Sequence, residues 1–252
     1  MPLFRKKKKH LDTTSMDKGV RLVTVSRAGS VNTEQFNTIR TNIEFSSADE
    51  QFKSIMVVSS MASEGKSTIS ANLAVAFARQ GKKTLLVDAD LRRPTINATF
   101  GITDPRGLTN FLTEHDLPAT DIIYQTTVKN LSVMPSGPVP PNPSELIGSR
   151  RMAGLMAGLS QSYDMVIYDA PPVLSVTDAQ LVANRVDGTV LVVRAGHTEK
   201  EALRQAVGLL EHSNAKIIGT VLNDVKQDNA GGYYGYYGYY GYYGYYGKED
   251  KK

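Results

Sequence analysis

Cysteine is absent from the 252 residues, which excludes disulfides and thiolate-ligated metals. Histidine is scarce: His10, His115, His197 and His212 fall at no metal-ligand spacing and read as surface or capping residues. No apolar run approaches the ~20 residues that span a bilayer, and residues 1–10 lack the apolar stretch of a secretion signal. The chain is therefore expected in the cytoplasm. An excess of positive charge is also missing from its body. The net charge is +4, yet residues 5–9 (RKKKK) supply +5 and leave −1 for the rest. The positive balance thus belongs to an arm, and no nucleic-acid partner is expected. The length suits one α/β domain with tails, enough to bury a sizeable core.

What the chain does have is SSMASEGKST at residues 59–68. The apolar run at residues 55–58 reads as a buried strand, and residues 69–79 read as a helix. Glycine, lysine and a hydroxyl at a strand-to-helix junction make a phosphate cradle. Backbone N–H groups of the loop and of the helix start would face phosphate oxygens. This makes Ser60, Ser63, Glu64, Gly65, Lys66, Ser67 and Thr68 the candidate ATP-binding set. Lys66 would reach the β- and γ-phosphates, and the Ser67 hydroxyl would ligate Mg2+. Ser60 stands where such loops usually begin with glycine. The competing reading is a chance Gly-Lys-Ser at a helix start; the strand before and the helix after favour phosphate binding.

Taken in order, residues 1–30 read as a basic, flexible N-terminal arm. Phe4 and RKKKKH either hold an anionic membrane surface, at about 1 kcal/mol per cation, or stay solvated. Residues 33–45 read as a helix opened by Asn32 or Thr33, with Phe36, Ile39 and Ile43 on one apolar face. Glu34 and Arg40 lie off that stripe, free to meet a neighbouring subunit or to stay solvated. Residues 83–90, KTLLVDAD, hold a strand buried on both faces that ends in Asp88 and Asp90. At strand period the two carboxylates point to the same side. Two like charges at the C-terminal end of a strand, where α/β sheets bind ligands, call for a cation.

Further on, residues 107–112 read as a short helix and residues 131–134 as a strand. Four prolines between residues 138 and 143 make a rigid connector, with Ser144 capping a helix over residues 145–159. YDMVIYDAPP, residues 163–172, is a core strand ending in Asp169, a second magnesium anchor. Residues 189–193 are a strand, Thr198 and Glu201 have capping-box spacing, and residues 216–222 form a last strand before Asn223 and Asp224. Strands alternating with helices imply a parallel sheet covered on both faces.

The composition then changes. Residues 231–247 repeat YYG five times and hold ten of the thirteen tyrosines. Without aliphatic side chains this tail forms no core. Stretched at about 3.3 Å per residue, residues 229–247 span roughly 60 Å, enough to enter another subunit's active site. Aromatic self-association and base stacking are the alternatives; the tail lacks the cations that would follow a nucleic-acid backbone.

In this order, SSMASEGKST, LLVDADLRRP, SGPVPPNPSELI and YDMVIYDAPP, followed by a tyrosine cluster, resemble the bacterial tyrosine kinases of capsule and exopolysaccharide synthesis. The resemblance covers residues 33–225 and the tail. It implies an α/β, P-loop NTPase-like fold, a mostly parallel sheet with helices on both faces, and a disordered tyrosine-rich C-terminal tail. It divides the chain into an arm (1–30), a kinase domain (31–228) and a tyrosine-cluster tail (229–252).

The resemblance also implies roles. Lys66 is the phosphate-binding lysine and Ser67 the magnesium-binding hydroxyl. Asp88 and Asp90 are the paired aspartates, Arg92 the arginine that trails them, and Asp169 the third-motif acid. Lys66, Asp88 and Asp90 are then catalytic, and Ser67, Asp88 and Asp169 hold Mg2+. Asp90 is either the base for the acceptor hydroxyl or a further ligand in the metal shell. The cofactors are ATP and Mg2+. The phosphoacceptors are Tyr233, Tyr234, Tyr236, Tyr237, Tyr239, Tyr240, Tyr242, Tyr243, Tyr245 and Tyr246, modified in trans. The expected partners are further copies in a ring, a transmembrane adaptor of the polysaccharide chain-length type, and a protein-tyrosine phosphatase. The expected place is the inner face of the cell membrane, reached through the adaptor. Glu34 and Arg40 match the ends of the family's Glu-x-x-Arg-x-x-Arg assembly helix, whose middle position is Asn37 here. Asn223 and Asp224 are the candidate adenine contacts.

Two rivals differ in class. In a nucleotide-dependent positioning ATPase no tyrosine is modified; such ATPases carry an extra lysine early in the loop, and Met61, Ala62 and Ser63 supply none. In an aromatic interaction module the nucleotide site is only structural, against which the magnesium carboxylates speak.

Overall fold

Apolar runs of four to six residues, bounded by turn residues, form strands when both faces are covered. The computed structural model describes residues 14–26, 29–46 and 51–225. Its elements, in chain order, are helices α1 (Thr14–Lys18), α2 (Val23–Ser26) and α3 (Val31–Phe45), strand β1 (Ser54–Ser59), α4 (Lys66–Arg79), β2 (Thr84–Asp88), α5 (Ile96–Phe100), α6 (Leu108–Thr113), a 3-10 helix (Ala119–Ile122), β3 (Tyr124–Gln125), β4 (Leu131–Met134), α7 (Pro143–Gly148), α8 (Arg150–Ser162), β5 (Met165–Asp169), α9 (Asp178–Ala183), β6 (Gly188–Arg194), α10 (Lys200–His212) and β7 (Ile217–Asn223).

The strands form one sheet in the order β3-β4-β2-β5-β1-β6-β7. Every pairing is parallel except that of the short β3, which runs antiparallel to β4. Side-chain alternation along the strands divides the core in two. Met56 and Val58 of β1 pack with Leu85, Val87, Val166 and Tyr168 under α8, α9 and α10. Ile55 and Val57 pack with Leu86 and Ile167 under α4, with α3 outside it. Each fully buried aliphatic side chain contributes about 1.5–3 kcal/mol, so the central strands hold their C-terminal ends rigidly. Those ends carry Ser59, Asp88 and Asp169, with Asp88 directly opposite Asp169 across the β2–β5 pair. The fold is the P-loop NTPase-like sheet with helices on both faces.

Several local expectations are corrected. Helix α3 begins at Val31, and its cap is Ser30, whose hydroxyl accepts from the Thr33 amide at 3.3 Å. Asn32 and Thr33 therefore lie inside the first turn. The helix expected over residues 145–159 is two helices, broken at Ser149 in extended conformation. Ser149, not Ser144, is the cap of α8, accepting from the Met152 amide at 3.1 Å. Thr198 and Glu201 form no capping box: α10 starts after Glu199, and the Thr198 hydroxyl is turned to Glu64. Helix α5, helix α9 and the antiparallel edge strand β3 were not foreseen. Within the segment read as an arm, α1 and α2 are present, and Thr24 is buried against Asn72, whose Oδ1 accepts from both its amide and its hydroxyl. Residues 1–13 and 226–252, with Phe4, the basic run and the tyrosine cluster, lie outside the described residues. Among the described residues no helix is long and apolar enough to cross a membrane.

Candidate functional site

The site forms where β1 gives way to α4. Gly65 has φ +94°, and a Cβ there would collide with the side-chain amide of Asn223. Only glycine meets both demands. Ser63 also sits in the left-handed region, at φ +66°. These bends bring the loop over the sheet's C-terminal edge and start α4 at Lys66, with its free amides facing the loop's concave side.

Lys66 is folded back into the site. Its Nζ lies 2.9 Å from Asp90 Oδ2, 3.4 Å from Asp169 Oδ1 and 3.3 Å from Ser67 Oγ. The Ser70 hydroxyl also donates to Asp169 Oδ1, at 3.1 Å. Asp88 Oδ2 accepts from the amides of Thr95 and Ile96 at 3.0 and 3.1 Å. Asp90 Oδ1 accepts from the amides of Arg92 and Arg93 at 3.3 and 3.1 Å. The structure thus gathers Lys66, Asp90 and Asp169 in one buried cluster, with Asp88 and Ser67 beside it.

Three carboxylates and one ammonium cannot all be charged cheaply out of water. Burial pushes the Asp88 carboxyl up to about 8, with Asp169 and Asp90 adding to the effect and the Thr95 amide opposing it. Burial likewise raises Asp169, against the pull of Lys66. Burial alone would depress Lys66; the carboxylates of Asp169 and Asp90 outweigh it and hold the ammonium above its ordinary value. Lys66 is therefore charged throughout the physiological range.

Two carboxylate oxygens in this cluster, Asp88 Oδ1 and Asp169 Oδ2, are buried and without a hydrogen-bond partner. Such orphans need an explanation, and a hard cation that takes oxygen ligands and keeps part of its water shell fits them. Among the described residues no three His, Cys, Asp or Glu side chains are arranged to hold a metal by themselves. The donor set therefore suits a Mg2+ completed by a hydroxyl, water and phosphate.

The other candidates fall in different places. Glu64 does not offer its carboxylate to the loop's open side. That group is buried, accepting from the Thr198 hydroxyl at 2.7 Å and from the Met61 amide at 3.2 Å. Ser60 Oγ is buried and has no partner. Ser67 and Thr68 are partly exposed at the start of α4. Asn223 donates its side-chain amide to the Glu64 carbonyl at 3.0 Å, and Asp224 pairs with Arg194 at 2.9 Å, whose Nη1 also donates to the Ser63 carbonyl. Both residues line a cavity of about 730 Å³ between α3 and β7 that reaches Thr68. Glu34 and Arg40 lie on α3 with partners in their own helix: Glu34 accepts from Asn37 at 3.3 Å, and Arg40 is 3.7 Å from Glu44. Arg92 leaves the cluster for Asp178 and Ser144. Arg194 and Asp178 carry no mark in the sequence, and Thr198 reads there only as a helix cap, because no local spacing joins them to the loop or to the paired aspartates.

Comparison with known proteins adds to this geometry. Residues 52–212 match a family described as an AAA domain. The chain is 45% identical over 215 residues to the tyrosine-protein kinase YwqD of Bacillus subtilis (strain 168), covering 84% of this chain and 90% of that protein. The chimerical protein CapA2B2 superposes with a TM-score of 0.78 at 41% identity, covering 82% of this chain and 90% of that one. The kinase domain of the Escherichia coli tyrosine kinase ETK superposes with a TM-score of 0.79 at 28% identity, covering 91% and 87%. The septum site-determining protein MinD of Pyrococcus horikoshii, solved with Mg-ADP, is less similar, with a TM-score of 0.59 at 27% identity over 70% of this chain and 72% of that one.

Proposed function

Because this chain belongs to the bacterial tyrosine-protein kinases, with an AAA-type nucleotide-binding domain, we propose that it moves the γ-phosphoryl group of ATP onto the C-terminal tyrosine cluster of a neighbouring copy. The chain is an ATP-dependent protein-tyrosine kinase; the acceptor, the residue roles and the setting are the proposal. The observation that carries it is Lys66, held between Asp90 and Asp169 at the mouth of the phosphate loop beside two unpartnered carboxylate oxygens.

Phosphoryl transfer needs positioning and charge stabilisation more than covalent chemistry from the protein. The backbone of residues 60–68 and the start of α4 cradle the phosphates. Lys66 turns from Asp90 to the β- and γ-phosphates when ATP enters, which releases Asp90. Mg2+, held by Ser67 and through water by Asp88 and Asp169, would neutralise the phosphate oxygens. Asp90 orients the tyrosine hydroxyl and takes its proton as the new O–P bond forms. The bond from the γ-phosphorus to the bridging oxygen breaks, and ADP departs. Adenine lies towards Asn223 and Asp224.

The domain so used runs over residues 31–228, and the tail over residues 229–252 is the acceptor. Copies assemble as a ring through the α3 face carrying Glu34 and Arg40. A transmembrane adaptor brings the kinase to the inner membrane surface, a phosphatase resets it, and the cycle regulates capsule or exopolysaccharide synthesis. Support for this setting is the ordered set of motifs and the tyrosine repeat. The test is mass spectrometry of the C-terminal peptide after incubation with ATP, Mg2+ and an adaptor's cytosolic segment. Phosphate on the YYG tyrosines is expected; a bare tail overturns the proposal.

A further inference from the structure

Arg92 stands two residues after Asp90 and is the hub of a contact outside the phosphate loop. Its Nε donates to Asp178 Oδ2 at 2.9 Å, and its Nη2 donates to Asp178 Oδ1 at 3.3 Å and to Ser144 Oγ at 3.0 Å. The Ser144 hydroxyl in turn donates to Asp178 Oδ1 at 2.5 Å. Asp178 is fully buried and opens α9. Ser144 lies in the first turn of α7, directly after the proline-rich connector. One guanidinium therefore ties together the loop after β2, the end of the connector and the start of α9.

The pair is buried on one side only: Asp178 is fully buried, while the Arg92 side chain is 37% exposed. The guanidinium stays partly in water, which limits what the pair adds to stability. What a two-pronged guanidinium–carboxylate contact adds is direction. The loop it directs is the one that aims Asp90. The amides of Arg92 and Arg93 donate to Asp90 Oδ1, leaving Oδ2 to face Lys66. A displaced Arg92 moves its own amide, and the Asp90 carboxylate follows.

We infer that Asp178, together with Ser144, is a positioning residue for phosphoryl transfer: through the Arg92 guanidinium it fixes the loop whose amides aim Asp90 at the acceptor hydroxyl. The inference rests on the role proposed above for Asp90. Its signature is a loss in the transfer step with nucleotide binding intact, since Asp178 bonds to Arg92 and Ser144 and not to the phosphate loop. Misplacing a reacting group by 1 Å slows a reaction by about 10²-fold.

The experiment compares the full chain with Asp178→Asn, Ser144→Ala, Asp90→Asn and the Asp178→Asn/Asp90→Asn double variant, under conditions that label the parent tail. Single-turnover transfer and the affinity for fluorescent ADP are measured. Asp178→Asn is expected to slow transfer at least about tenfold with ADP affinity within about twofold, and the double variant to be no slower than Asp90→Asn. Transfer at the parent rate, a loss explained by weaker ADP binding, or additive losses overturn the inference. Should Asp178→Asn fail to fold, Ser144→Ala decides, because it leaves the ion pair in place. Transfer about three- to tenfold slower with unchanged ADP affinity supports the inference, and parent-like transfer overturns it. If Asp90→Asn transfers at the parent rate, the role of Asp90 fails and the inference falls with it. If Asp90→Asn is slow and Asp178→Asn is not, only the positioning role is lost.

Discussion

Lys66 and Asp90 meet Nζ to Oδ2 at 2.9 Å, so the cation meant for phosphate is held by the carboxylate proposed as base. On the proposed mechanism, a triphosphate would compete for the ammonium and uncover the Asp90 carboxylate in the same step.

Lys66→Met removes that exchange. Loss of one charge-stabilising donor costs about 10²–10³ in rate, and here Asp90 and Asp169 lose their cation as well. Labelling of the tail from γ-labelled ATP should fall below detection. Labelling within tenfold of the parent would show that Lys66 does not stabilise the transferring group.

Asp88 makes the fold sensitive to pH. Its carboxyl is pushed up from 3.8 to about 8 in the fold, by burial first and then by Asp169 and Asp90. A carboxyl whose folded value is raised penalises the folded state as pH rises above its unfolded value. Below about pH 4 the group is neutral in both states and carries no penalty. As pH rises towards 8 the unfolded chain gives up its proton freely, and the folded chain is destabilised by on the order of a few kcal/mol. Asp88→Asn, whose carbonyl still accepts from the Thr95 and Ile96 amides, should raise the melting temperature at pH 8 and lose that advantage near pH 4. Mg2+ with nucleotide should stabilise the parent more at pH 8.5 than at pH 6, because the cation must displace a proton. Thermal melts across pH in the absence of nucleotide test the first point; a pH-independent gain would refute it.

Gly65 tests the loop's shape. Alanine there meets a backbone at φ +94° and the side-chain amide of Asn223. Gly65→Ala should weaken nucleotide binding at least tenfold, the strain being about 1–2 kcal/mol from the left-handed backbone and more from the collision. Asn223→Ala removes the collision and leaves the backbone strain, so measured against the Asn223→Ala single variant, which carries any loss of Asn223's own contacts, the Gly65→Ala penalty should be smaller but not absent. Isothermal titration with ADP distinguishes the two contributions, and a penalty that vanishes in that background would place the whole cost in the side-chain contact.

The sheet was legible from the chain because its strands are unbroken apolar runs ending in Ser59, Asp88 and Asp169. Lys66 is legible from the Gly-Lys-Ser junction between a strand and a helix, and Asp88 and Asp169 because a carboxylate ending a buried strand has few other uses. Caps were harder to place. Ser144 has the residue type of a helix cap, yet α7 starts one residue before it, at Pro143, and its hydroxyl serves a carboxylate and a guanidinium instead. Thr198 and Glu201 have capping spacing, yet the Thr198 hydroxyl goes to Glu64, 134 positions away. Asp178 carries no local mark, since its partners come from segments 86 and 34 positions off. Local pattern reads backbone periodicity well and reads poorly any polar group whose partner arrives through the tertiary fold.

If the tyrosine tail is the acceptor, assembly should depend on its phosphorylation. Each phosphotyrosine adds about −1.5 to −2 charge, so ten add roughly −15 to −20 to a chain whose formal charge is +4. On that reading, an unmodified tail inserted in a neighbour's site would help hold the two copies together, whereas a fully modified tail would be repelled by Asp88, Asp90 and Asp169 and by other modified tails. Kinase isolated after exhaustive phosphatase treatment should therefore scatter light as an oligomer, and the same chain after exhaustive autophosphorylation as a smaller species. Because the repulsion acts between exposed charges it is screened over about 10 Å at 0.1 M salt, so raising the salt should return part of the modified chain to the larger form. Equal particle mass in both states, at low and high salt, would refute the switch while leaving the transfer chemistry untouched.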